Sequence, residues 1–168
     1  MLVDGFAHSP MSMEEFSILP GVKSTIEKLK NSGFLIFVVT NQPEISRGKL
    51  DSSIVESMNL IIKNELNVDE IKVCPHDKSD GCTCRKPLPG MIEELCKKWS
   101  IDKSSSWVIG DRWVDILSAK EAGLKSVLLE REYSWKTSSN EYPPINLEAN
   151  FAMVQIEELL SIVLGNLP

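Results

Sequence analysis

The sequence predicts a three-layer α/β fold, a parallel sheet with helices on both faces. Three observations carry this. Phe34–Val39 is a continuous apolar run, the pattern of a strand buried on both faces. Ser106–Ile109 and Ser126–Leu129 are further short apolar runs, and segments of helical apolar spacing alternate with them. No linker rich in proline, glycine or serine interrupts the 168 residues, so one domain over 1–168 is expected.

Met1–Leu19 reads as a polar lead, and its lone His8 is expected on the solvated surface. Pro20-Gly21 opens a helix with Val22, Ile26 and Leu29 on one face and Gly33 as its stop. The strand Phe34–Val39 follows and ends in Thr40-Asn41-Gln42. Small polar groups thus stand at a strand's carboxyl end, where open parallel sheets bind ligands. Pro43–Leu50 is expected to be a loop, with Arg47 either a surface cation or a substrate contact. Asp51 can cap the next helix, whose buried stripe is Ile54, Met58, Ile61, Ile62 and Leu66.

Glu70–Val73 is a short strand. Pro89-Gly90 starts a helix that runs through Trp99, and Cys96, at helical spacing with Ile92, Leu95 and Trp99, reads as core packing. The strand Ser106–Ile109 ends at Gly110-Asp111, a helix runs on to Gly123, and Ser126–Leu129 is the next strand. Glu130–Asn146, with Tyr133, Trp135 and two prolines, reads as a loop whose aromatics form a lid or simply pack on the surface. Phe151–Met153 is a last edge strand, and Ile156, Leu159, Leu160 and Val163 mark a closing amphipathic helix.

Between the strand Glu70–Val73 and the helix at Pro89 lie two tight pairs, Cys74-Pro-His76 and Cys82-Thr-Cys84. Three thiolates and an imidazole are the ligand set of a closed tetrahedral zinc site, and the intervening loop is short enough for all four to converge. A disulfide is the alternative, as are four idle side chains. Nothing in the sequence suggests secretion, since Met1 leads into Asp4-Gly5 with no apolar signal run, and thiols stay reduced in the cytosol. Arg85 and Lys86 follow at once, so the loop 74–86 delivers two cations to a fixed place.

A net charge of −6 with no basic run argues against a general nucleic-acid binder. A zinc-finger-like module would also need a basic recognition helix, and none is present. No apolar stretch reaches membrane-spanning length. A cytoplasmic monomer without a nucleic-acid or membrane partner is therefore expected.

Three stretches, Cys74–Met91, Val39–Gln42 with Arg47-Gly48, and Gly110-Asp111-Arg112 with Asp115, resemble the zinc-loop phosphatases of the haloacid dehalogenase (HAD) superfamily. The likeness runs in family order from about Phe16 to Leu129. It implies a Rossmann-like HAD fold and hydrolysis of a small phosphorylated metabolite, such as a heptose bisphosphate or histidinol phosphate, through an aspartyl-phosphate. Thr40, with Asn41 beside it, would hold a phosphate oxygen, and Lys86 would give charge to the phosphate and to the nucleophile. Arg85 would offer its planar fork to a substrate phosphate or carboxylate. Asp111 matches the Mg2+ ligand, and Asp115, one turn on, would help position that metal. Read singly, the same residues are an ordinary turn and a helix entrance. Arg112 and Trp113 touch substrate or merely shape their loop.

The sequence departs from the family at its first motif, an apolar strand ending in Asp-x-Asp-Gly whose first aspartate is the nucleophile. Only Leu2-Val3-Asp4-Gly5 offers a match, with Leu2 in the nucleophile's place and Asp4 as acid/base. In a better alignment Asp4-Gly5, Pro10, Glu14-Glu15 and Leu19-Pro20-Gly21 fit a later family segment, and the first, central strand is missing. Either way no nucleophilic aspartate is found. Phe34–Val39 and Ser106–Ile109 would then lack the strand between them, and must pair directly or leave a gap in the sheet. Two classes of function follow: a phosphomonoesterase by descent, or a non-catalytic protein with a zinc-stiffened phosphate-binding or partner-binding site.

Overall fold

The computed structural model describes residues 2–3, 6–136 and 142–166. The candidate acid/base Asp4 lies outside the described residues. Two compact units organise the chain, one from His8 to Cys82 and the other comprising Leu2–Ala7 and the residues from Thr83 onward. Where a polar lead was expected, β1 (Leu2–Val3) and β2 (Phe6–Ala7) pair antiparallel, Leu2 with Ala7 and Val3 with Phe6.

In the first unit, α1 (Val22–Asn31) buries Thr25 and Leu29 and leaves Val22 and Ile26 half-buried. β3 (Phe37–Asn41) pairs in parallel with β4 (Glu70–Cys74), from Phe37 opposite Glu70 to Asn41 opposite Cys74. The apolar run enters the ladder three residues later than its composition suggests. Side-chain bonding explains the delay: Asp69 accepts from the backbone N of Ile36 (2.7 Å) and from Lys30 Nζ (2.9 Å), while the N of Phe34 donates to Leu29 O. β3 is half-buried along its whole length, not buried on both faces. A two-stranded sheet cannot cover a strand as a central position would.

The expected loop after β3 contains a single turn of helix, α2 (Pro43–Ser46), with Pro43 at its start where a missing N–H costs nothing. Asp51 caps α3 (Ser52–Leu66) by accepting from the N of Ser53 at 2.8 Å. The buried stripe of α3 is Val55, Met58 and Leu66, with Ile62 half-buried; Ile61 is 37% exposed. Ile61 and Ile62 stand about 100° apart on a helix, so the face centred on Met58 takes only the second.

The second unit holds α4 (Gly90–Trp99), β5 (Trp107–Gly110), α5 (Trp113–Ala122), β6 (Lys125–Leu129), β7 (Phe151–Met153) and α6 (Leu159–Gly165). The strands form one parallel sheet in the order β5-β6-β7. The middle strand is the buried one, with Val127 and Leu128 at 0% and 1% exposure, whereas Ile109 on β5 is 38% exposed. Trp113, Val114 and Ile116 of α5 pack with Leu128 and Leu147 as the core of this unit. On α4, Met91, Ile92, Leu95 and Cys96 are buried while Trp99 is 37% exposed, and burial pushes the Cys96 thiol up from its ordinary pKa. Cys96 is therefore core packing, and the stripe ends one turn before Trp99.

Ile116 has no exposed surface. Ile116→Val should lower the unfolding free energy by about 1 kcal/mol, within the range for deleting one buried methylene. Urea titration should show an earlier midpoint with an unchanged slope.

Candidate functional site

The candidate metal loop begins at Cys74, the fully buried last residue of β4. Cys74 Sγ lies 3.7 Å from His76 Nδ1 and 3.7 Å from Cys82 Sγ. With Cys84 the four ligand atoms all fall within 4.8 Å of one another. Two thiolates on one tetrahedral ion, each about 2.3 Å from it, stand about 3.8 Å apart. A disulfide would bring the sulfurs to about 2.04 Å, and all four cysteines are free thiols. The donor set and its spacing fit a tetrahedral metal ion.

Beyond Cys84 the chain folds back on itself: Leu88 N donates to Arg85 O at 2.9 Å and Gly90 N to Thr83 O at 3.2 Å. Only glycine suits position 90, since a Cβ there would stand 2.4 Å from Thr83 O. This tight return holds Lys86 against the start of α5. Its Nζ donates to Asp115 Oδ1 at 2.6 Å, with the two side chains 13% and 9% exposed. Asp115 Oδ2 accepts from the backbone N of Arg112 at 3.1 Å. Gly110 makes the approach possible, because a Cβ there would lie 2.2 Å from Asp115 Cβ.

Asp111 stands at the carboxyl end of β5, as expected. Its Oδ2 accepts from the hydroxyl of Tyr133 at 2.6 Å. Burial first, and then the hydrogen bond to Asp111, push the Tyr133 pKa up to about 12, so the phenol remains a donor through the neutral range. The fully buried Ser134 anchors this turn: its Oγ accepts from Arg131 N (2.8 Å) and its carbonyl from Trp113 N (2.9 Å). Trp113 is core, 3% exposed, and Arg112 contributes its backbone to Asp115.

In the first unit, Thr40 and Asn41 end β3 half-buried, and Gln42 is 8% exposed. Gln42 Nε2 donates to Thr40 Oγ1 at 3.1 Å, which leaves the threonine proton directed elsewhere as a donor. Arg47 is clamped on carboxylates of its own unit. Arg85 is half-buried in the loop.

A model of the HAD-hydrolase-like family matches residues 83–145. The D-glycero-β-D-manno-heptose-1,7-bisphosphate 7-phosphatase of Rhodopseudomonas palustris is 33% identical over 137 residues, covering 74% of this chain and 76% of the relative. The chain belongs to the HAD-like phosphatases. Within that family it is also 34% identical over 122 residues to the histidine biosynthesis bifunctional protein HisB of Campylobacter jejuni, covering 70% of this chain and 34% of that protein. A crystal structure of D,D-heptose 1,7-bisphosphate phosphatase from B. bronchiseptica, complexed with magnesium and phosphate, superposes with a TM-score of 0.81. It is 27% identical and covers 98% of this chain and 92% of that one. The HAD-like α/β fold is thereby established. Among the described residues no helix is long and apolar enough to cross a membrane.

Sequence reasoning singled out Lys86, Asp111 and Asp115 without their partners. It missed the Tyr133–Asp111 bond, which spans 22 residues, and the Arg47–Asp77 fork, which spans 30. No local spacing signals either one.

Proposed function

We propose that the chain carries the metal- and phosphate-binding apparatus of a phosphatase for a small phosphorylated sugar of the heptose 1,7-bisphosphate type. The buried Lys86–Asp115 pair, in a chain one-third identical to such phosphatases, is the observation that carries this reading. Cys74, His76, Cys82 and Cys84 would hold structural zinc, because three thiolates and an imidazole are zinc's characteristic donors. Asp111 would contribute to Mg2+, which when bound neutralises charge on the phosphate. The magnesium and phosphate in the related crystal structure support the Mg2+ role.

Phosphoryl transfer asks a protein mainly for positioning and charge. Lys86, oriented by Asp115, supplies a point charge to a phosphate oxygen. Thr40, whose oxygen is already satisfied by Gln42, has its proton to donate to phosphate, with Asn41 beside it. Arg85 provides a planar fork for a substrate anion. The single-domain, monomeric, cytoplasmic protein of the sequence reading fits a small-molecule substrate and reduced thiols.

The aspartyl-phosphate route also needs a carboxylate nucleophile, and Leu2 stands where the Asp4-Gly5 alignment would put it. This supports a second reading, phosphate binding without turnover. Turnover of the 168-residue chain on heptose 1,7-bisphosphate, histidinol phosphate and an aryl phosphate is expected to stay below about 1 s⁻¹, the low end of ordinary enzymes. Calorimetric affinity for phosphate or tungstate should fall by about 1.5–3 kcal/mol in Lys86→Ala of verified fold, the range for a hydrogen bond to a charged group. Equal affinity in the two proteins would remove the anion-binding role. Turnover above the stated limit that vanishes in Asp111→Asn would instead locate a nucleophile elsewhere in the chain.

A further inference from the structure

The phosphate chemistry leaves Arg47 without a task, yet this residue is bonded to the metal loop within the His8–Cys82 unit. Its guanidinium forks onto Asp77, with Nε 2.8 Å from Oδ2 and Nη2 2.7 Å from Oδ1, while Nη1 bonds Glu44. The neighbouring Ser46 donates its hydroxyl to Asp80 Oδ2 at 2.6 Å and its backbone N to Pro75 O at 3.2 Å. Gln42 N donates to Cys74 O at 2.8 Å. Residues 42–47 thus hold the first half of the loop at Cys74, Pro75, Asp77 and Asp80, on both sides of His76. Asp77 and Asp80 then shape the turn that follows, since Asp80 Oδ2 accepts from Asp77 N and Asp77 Oδ1 from Lys78 N, each at 2.7 Å.

An Arg–carboxylate pair that is partly exposed adds little to overall stability. A bidentate fork does fix direction, because two parallel bonds define the plane of both groups. All three guanidinium nitrogens of Arg47 are engaged by carboxylates, so the fork is not held out for a substrate phosphate.

We infer that Arg47 is a positioning residue for the metal: by clamping Asp77 it presets the backbone around His76, so that Cys74, His76 and Cys82 face one point before an ion arrives. Presetting lowers the ordering cost that binding would otherwise carry. The inference rests on the reading of Cys74–Cys84 as a metal site, and its test separates the two.

Zinc content of the full wild-type chain is measured first, followed by zinc affinity in competition with a chromophoric chelator. Arg47→Met and Asp77→Asn should each weaken zinc binding about 10- to 100-fold, as losing an outer partner of a metal ligand does. The double variant should be no weaker than the worse single one, since both remove the same contact. Arg47→Lys, which keeps the charge and loses the fork, should recover only part of the affinity. A purely structural role would lower the melting temperatures of the zinc-free and zinc-loaded forms equally and leave the affinity unchanged. That outcome in a zinc-binding wild type overturns the inference alone. A wild type that takes up no zinc overturns the metal reading with it.

Discussion

Asp115→Ala is expected to lower the unfolding free energy by about 3–5 kcal/mol, a large fraction of the stability of an ordinary domain. The aspartate sits against Lys86 Nζ at 2.6 Å, and both side chains are nearly withdrawn from water. Removing the carboxylate takes away a charged partner that offsets the desolvation of the buried ammonium. It also frees the backbone N of Arg112, which had donated to Asp115 Oδ2. The control is the double variant Lys86→Met/Asp115→Leu, which replaces the pair with apolar groups and should regain most of the loss. Denaturant unfolding of wild type, both single variants and the double variant measures the coupling directly. A single variant within about 1 kcal/mol of wild type would show that water reaches the pair.

Chelation of the metal should have an equally large but more local effect. Structural zinc binding in small modules is worth about 10–16 kcal/mol, and there it is the folding energy itself. In this chain the loop borders a fold with its own core around Trp113, Ile116 and Leu128. Removing the proposed zinc should therefore loosen the backbone from Cys74 to Lys86, least where Arg47 and Ser46 hold Asp77 and Asp80, while α3 and the β5-β6-β7 sheet remain. Amide hydrogen exchange read by mass spectrometry checks this, with protection reduced across the loop and retained in Val127–Leu129. Unfolding of the whole chain on chelation would mean that the loop organises far more than its neighbourhood.

The sequence made the elements legible where the cause is local. Asp51 reads as a cap because a carboxylate two residues before a free backbone N–H needs nothing else to bond it. That Cys74, His76, Cys82 and Cys84 cluster could be read directly too, since their spacing lets the two short pairs meet. Burial was read less well because it depends on neighbours. Phe34–Val39 is as apolar as any strand in the chain, yet its burial is set by the number of strands beside it. Its entry into the ladder was hidden for a similar reason, as Asp69 takes the backbone N of Ile36 from 33 residues away. At the candidate site the resemblance named Lys86 and Asp115 but not their contact, which closes a separation of 29 residues. Tyr133 and Arg47 act through contacts of the same distant kind, so neither the composition nor the period of the chain marks them.

Gly110 has no side chain and touches no reacting group, yet a methyl there would overlap Asp115. The strand end and the helix that follows are close enough for the carboxylate to fill the volume where that methyl would sit. In a scan of all substitutions at every position, Gly110 should therefore score like the residue it makes room for. Its tolerance profile should be as narrow as that of Asp115, and its variants should lose anion binding together with stability. A survey that ranks positions by sensitivity would group Gly110 with the candidate site, although its own contribution is only the room that Asp115 occupies.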